Sequence, residues 1–127
     1  MWSDRYWYYE IRGNASYSEL RATEELMTII DEQGVLQRKG SHDLVNKGDE
    51  PFISIRCVKC DTIGNYGAEN EHINTNLIVV VTSKVSGTPP PYLELLGTIA
   101  RRLNWELILE MDDDENEDVV LVAKETA

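Results

Sequence analysis

The sequence predicts an α+β domain, with a mixed or mainly antiparallel sheet packed by two helices. Three observations carry this reading. Segments with period-two alternation recur along the chain, two segments have the caps and periodicity of helices, and the two kinds follow in the order β, α, (β), β, β, α, β, β. That order holds too few alternating βα units for a doubly wound sheet and too much helix for a sandwich. A split βαββαβ arrangement with an extra edge strand accommodates it, and 127 residues suffice for a single domain, 1–127, whose core needs no covalent or metal staple.

The first strand is expected from Tyr6 to Ile11, with Trp7, Tyr9 and Ile11 on one face and Tyr6, Tyr8 and Glu10 on the other; Gly13-Asn14 then ends it. Ser16 and Glu19 form a capping-box pattern, so a helix is expected over about Tyr17 to Gln33, with Leu20, Ala22, Leu26, Met27, Ile29 and Ile30 inward and Gly34 at its end. Val35 to Arg38 reads as a short strand and residues 39–51 mainly as loop, because Lys39-Gly40-Ser41 and Asn46-Lys47-Gly48-Asp49 are turn-rich. Phe52 to Cys57 alternates again, residues 61–75 form a Gly/Asn-rich connection, and LIVVV within Asn76 to Thr82 suits a central strand covered on both faces. Thr88 as cap and Pro89 at the first helical position start a second helix, which carries Leu93, Leu96, Ile99, Ala100 and Leu103 inward and ends on Arg101 and Arg102. Trp105 to Met111 and Val119 to Ala123 pair most simply as a hairpin, with the acidic run DDDENED at its tip.

Charge narrows the function classes. Twelve Lys and Arg stand against 23 Asp and Glu, a net of −11, and the isoelectric point is near 4.5. Direct binding to nucleic acid or anionic lipid needs cations to neutralise phosphate, so neither is expected, whereas a basic protein is the natural complement. The imbalance is concentrated: residues 101–127 hold three basic and nine acidic residues, a net of −6. The N-terminus lacks a basic segment followed by an apolar one, and no run approaches the length of a membrane span, which together predict a cytoplasmic protein. Two cysteines, too few and too close for a secreted disulfide framework, agree with a reducing compartment.

No motif identifies an enzyme. Asp112, Asp114 and Asn116 match the first half of a calcium loop, but Glu117 stands where glycine is needed and Ala123 where a bidentate Glu is needed. Cys57 and Cys60 form a lone CxxC, and a zinc site would have to recruit both histidines, His42 and His72, as well. The pair ends a strand instead of opening a helix, and an offset of three puts the two thiols on opposite faces, as suits small buried apolar residues. His42-Asp43, or Cys57 with His72, lack any nucleophile elbow or metalloprotease helix around them, and Gly64-Asn65-Tyr66-Gly67 lacks the lysine and helix of a phosphate loop. No catalytic residue, metal or cofactor is therefore assigned. The aromatic cluster of Trp2, Tyr6, Trp7, Tyr8 and Tyr9 points elsewhere: a strand with aromatics on both faces leaves some near the surface, where Tyr and Trp anchor protein interfaces.

In size, acidity and α+β architecture the chain resembles the immunity proteins of bacterial contact-dependent growth inhibition and related polymorphic toxin systems. The resemblance implies a non-catalytic neutraliser that binds a cognate toxin domain, often a nuclease with a basic substrate cleft. On this reading Asp112, Asp113, Asp114, Glu115, Glu117 and Asp118 supply the charge, and Tyr6 and Tyr8 add apolar anchors. Two alternatives stay open: a small metal- or thiol-dependent enzyme using Cys57 and Cys60, and a regulatory protein-binding adaptor.

Overall fold

A computed structural model describes residues 6–48, 51–61, 73–85, 88–112 and 114–125. Nine strands and two helices lie within them: β1 (Tyr6–Arg12), β2 (Arg21–Ala22), α1 (Thr23–Asp31), β3 (Leu36–Arg38), β4 (Asp43–Asn46), β5 (Ile53–Val58), β6 (Asn74–Thr75), β7 (Leu77–Ser83), α2 (Leu93–Leu103), β8 (Glu106–Met111) and β9 (Glu117–Val122). Seven strands form one antiparallel sheet in the order β3-β4-β5-β7-β1-β8-β9, and β2 pairs with β6 in a small ladder of its own. The four inner strands, β5-β7-β1-β8, are wired through α1 and α2 as a split βαββαβ unit. The β3–β4 hairpin extends one edge of that unit, and β9 extends the other.

Register explains where the core lies. Tyr9 pairs with Val80 on β7 and Leu109 on β8, and Ile11 with Ile78 and Leu107, so one face of the sheet collects Trp7, Tyr9, Ile11, Ile55, Cys57, Ile78, Val80, Leu107 and Leu109. Leu26, Met27 and Ile30 of α1 and Leu95, Leu96, Ile99, Ala100 and Leu103 of α2 bury against that same face. Both helices therefore share one side. The expectation that LIVVV is covered on both faces is corrected: along β7, Ile78, Val80 and Thr82 are buried under the helices, whereas Val79 and Val81 are only half-buried on a side without a helix among the described residues.

Three further expectations are corrected. The first helix begins at Thr23, six residues later than the capping-box pattern implied. Asn14 organises the preceding segment as a turn: its side-chain Oδ1 accepts from the Ser18 amide at 3.0 Å and the Ser16 hydroxyl at 3.1 Å, and Tyr17 takes a left-handed φ of 58°. Glu19 pairs with Lys124 instead of capping, and Leu20 and Ala22 are exposed. What starts α1 is tertiary. The Thr23 amide donates to the Ile73 carbonyl at 2.8 Å, and the Thr23 and Thr75 hydroxyls meet at 2.7 Å. The second helix begins at Leu93, four residues after Pro89, because a residue before a proline is pushed out of the helical region, which excludes Thr88, Pro89 and Pro90, and Tyr92 then takes a left-handed φ of 65° just before the helix. Leu93, expected inward, is exposed; Leu95 takes its place in the core. Finally, the loop expected over residues 39–51 is interrupted by a strand that the reading lacked: Asp43–Asn46 forms β4 between β3 and β5.

The end of α2 follows its sequence. Arg101 and Arg102 stand in the last turn, Asn104 adopts φ of 52°, and the Trp105 amide donates to the Ala100 carbonyl at 2.9 Å, closing the helix in the manner usual for a left-handed terminal residue. Among the described residues no helix is long and apolar enough to cross a membrane.

Candidate functional site

The sheet face opposite the helices is divided into a closed end and an open one. At the closed end the turn at Asn14–Ser18 lays Tyr17 over Val58, Cys60, Leu77 and Val79, a second small apolar cluster. Asn76 fixes it: its Nδ2 donates to the carbonyls of Tyr17 at 3.0 Å and Cys60 at 2.9 Å, and its Oδ1 accepts from the Cys60 amide at 2.8 Å. Arg12 completes the closure, with Nε 2.7 Å from Glu106 and Nη1 3.3 Å from Glu10, while the Tyr17 hydroxyl donates to Glu10 at 2.9 Å.

The open end lies around Tyr6. Alternation along β1 puts Tyr6 and Tyr8 on the helix-free face, the one shared face that the sequence indicated, with Tyr6 exposed and Tyr8 half-buried. Tyr6 packs edge-on against Tyr8, with centroids 6.4 Å apart, and against Phe52, with centroids 5.9 Å apart. Tyr6 and Phe52 remain 38% and 42% exposed. Because Glu10 pairs with Ile108, the antiparallel register sets Tyr8 level with Glu110, and because Leu109 pairs with Val119 and Met111 with Glu117, it sets Glu110 level with Asp118. Aromatic rings and carboxylates thus share one surface. Burial pushes the Glu110 carboxyl up to about 7, and the neighbouring charges of Glu10 and Asp118 add to the rise.

The hairpin tip emerges at this same end. β8 runs antiparallel to β1, so its last residues approach the level of Tyr6 just before the tip begins at Asp112. The expected hairpin is present, but β9 begins at Glu117, so two of the acids belong to the strand. Within the tip, Asp112 serves the turn. Its Oδ1 accepts from the Asp114 and Asn116 amides, both at 2.9 Å, and its Oδ2 from Asn116 Nδ2 at 3.0 Å; these bonds, those from Asn116 foremost, hold the Asp112 carboxyl below its usual range. Glu115 takes φ of 63° to close the loop. Asp114, Glu115, Glu117 and Asp118 are exposed and present their charge outward, while Asp113 lies outside the described residues, as do Trp2 and His72. Of the expected site residues, then, Asp114, Glu115, Glu117, Asp118, Tyr6 and Tyr8 share one end of the sheet, and Asp112 is the brace beneath them.

The other chemical candidates are dispersed. Cys57 is buried in the helix-side core, where burial and the nearby charge of Asp43 push its thiol up to about 12. Cys60 sits in the second cluster, on the opposite side, and its thiol is raised by burial and by the charges of Glu10 and Asp61. The offset of three between them had indicated opposite faces. His42 lies beside Ser41, Asp43 and Arg56, with Nδ1 3.2 Å from the Ser41 hydroxyl and Nε2 3.4 Å from Asp43. Among the described residues no group of three or more His, Cys, Asp or Glu is arranged to hold a metal ion.

Phe52 and Glu110 were missed as members of the surface. Phe52 and Glu110 stood in alternating segments, but only the neighbour order β5-β7-β1-β8 puts those segments in one sheet with Tyr6 and Tyr8. Comparison of the chain with known protein families, curated proteins and solved structures finds no match. The molecule is thus defined by its architecture: an antiparallel α+β sheet with both helices on one side and, on the other, an acidic, aromatic end that no helix covers among the described residues.

Proposed function

We propose that this chain is a non-catalytic inhibitor of the immunity type, which binds and neutralises a basic toxin domain, most naturally a nuclease, through the open end of its sheet. One observation supports this most: exposed Tyr6 and Phe52, with Tyr8, adjoin Glu110, Asp118 and the outward acids of the hairpin. A nuclease presents Lys and Arg to phosphate, so a surface of opposite charge competes for the same cleft, and long-range attraction speeds the encounter. Aromatic rings flanked on one side by a strip of carboxylates suit a protein-binding patch, where desolvated Tyr and Phe hold the complex and charge sets its register. The enzyme reading has less to stand on, because neither thiol is placed to ionise: Cys57 and Cys60 are both buried and both raised.

The experiment is affinity capture from the source cell at low and at high salt, followed by titration of the purified captured domain. The expected result is one basic domain, lost at high salt, whose nucleic-acid cleavage is abolished at an equimolar amount of this chain. A captured domain that stays active when saturated, or capture that ignores salt, overturns the proposal.

A further inference from the structure

The β9 edge of the sheet is a second binding element. β9 pairs with β8 on one side, and among the described residues no strand lies on its other side. An uncovered edge presents a row of amides and carbonyls to any extended chain, so natural sheets shorten, twist or shield it. The opposite edge, β3, is short, with three residues; β9 has six, of which Asp118 takes a left-handed φ of 50° and so sets the acidic head of the strand off from Val119–Val122. Its apolar residues divide. Val119 and Val122 turn toward the helix-side core, whereas Val120 and Leu121 are 54% and 40% exposed. Leu121 is the extra residue of a bulge, since Val120 pairs with Ile108 and Val122 with Leu107. Glu117 and Asp118 head the strand, Asp114 and Glu115 precede it, and the cation that follows, Lys124, is already paired with Glu19.

We infer that β9 accepts an extended basic strand from a protein partner, which joins the seven-stranded sheet at this edge. The main chain of β9 supplies the hydrogen bonds of strand addition, Val120 supplies apolar contact, and Glu117 and Asp118 select Lys or Arg on the incoming segment. Charge decides between occupants. A second copy of β9 would bring its own Glu117 and Asp118 to an acidic edge in a chain of net −11, whereas a basic strand neutralises both.

The inference rests on the partner-binding reading and specifies how that partner is held. It is tested on the full chain with a synthetic peptide alternating lysine with valine over about eight residues, enough to span the strand. Two control peptides are used: one N-methylated at alternate amides, one with glutamate for lysine. At low salt, nuclear magnetic resonance titration of the labelled chain should show the lysine peptide protecting β9 amides. N-methylation should weaken binding at least about tenfold, since several main-chain hydrogen bonds are lost. The glutamate peptide should not bind, and Glu117→Gln with Asp118→Asn should weaken the lysine peptide severalfold. Equal binding of the N-methylated peptide, protection confined to other strands, absence of binding, or a mass that rises with concentration overturns the inference. A captured basic domain that binds while β9 stays unprotected overturns strand addition and leaves the partner-binding reading intact. Failure of capture with the peptide result intact removes that reading alone.

Discussion

Arg12 Nε lies 2.7 Å from Glu106 Oε1 across the β1–β8 ladder, and the same guanidinium reaches Glu10 and the Tyr17 hydroxyl. This contact separates the closed end of the helix-free face from the open one. Removing it leaves two half-buried carboxylates without their cation and frees the turn that carries Tyr17. Arg12→Ala is expected to destabilise the chain by about 2 kcal/mol, the scale of lost hydrogen bonds to charged groups. Arg12→Lys should recover part of that, because an ammonium keeps the charge but not the fork. Urea denaturation of the three proteins measures both, and an unchanged midpoint for Arg12→Ala would show that Asn14 and Asn76 hold the turn without it.

Glu110 gives stability a dependence on pH. Its folded pKa, about 7, stands above its ordinary 4.5, so between those values the folded chain binds more protons than the unfolded one and this group's contribution to stability falls as pH rises. The penalty is absent below about pH 4 and complete above about pH 8. Glu110→Gln should therefore be more stable than the parent at pH 8, by about 1 kcal/mol once solvent screening of a half-buried carboxyl is allowed for, and should lose that advantage near pH 4. Denaturation curves at the two pH values decide the matter. A variant with the parent's pH slope would assign the titration to another group.

The outward acids and the aromatics should act on different steps of binding. Charge reversal of Asp114, Glu115 and Glu117 to Lys is expected to slow association with the captured basic domain by tenfold or more at low salt and to flatten its salt dependence. Tyr6→Ala with Phe52→Ala should instead raise the dissociation rate, with little loss of stability, because both rings are substantially exposed. Stopped-flow mixing separates the two rates. Wild-type kinetics for both variants would place the interface elsewhere.

Cys57 should resist chemistry in the folded state. With its thiol pushed up to about 12 it is almost wholly protonated at neutral pH, and it is fully buried. Alkylation should label Cys57 only after denaturation. Cys57→Ser should destabilise more than Cys57→Ala, by about 1 kcal/mol, because a buried hydroxyl needs a partner that this apolar site lacks. Rapid labelling of native Cys57 would reopen the thiol-enzyme reading.

The elements legible from the sequence were those whose signal is local. Alternation in Tyr6–Ile11 and in Trp105–Met111 assigned each residue to the right face, and Arg101 and Arg102 marked the true last turn of α2. The errors lie where a distant segment overrides a local pattern. Ser16 and Glu19 have the spacing of a capping box, yet Asn14 claims the turn, Lys124 claims Glu19, and the Ile73 and Thr75 segment sets the helix start. At α2 the proline rule applied to the first position was correct in kind but incomplete, since three successive prolines restrain their predecessors and delay the helix.

The sequence by itself determined the α+β class, the alternation of Tyr6–Ile11, Phe52–Cys57 and Trp105–Met111, and the hairpin with acids at its turn, because each follows from periodicity, capping and charge over a few neighbouring residues. Tertiary structure alone decided that Tyr6, Tyr8 and Phe52 share a face with Glu110 and Asp118, that Asp112 braces the turn from within, and that among the described residues β9 is an edge strand. Those relations depend on which strands are neighbours and in what register, and pairing between residues 9 and 109, or 53 and 82, leaves no trace in the local pattern of either strand.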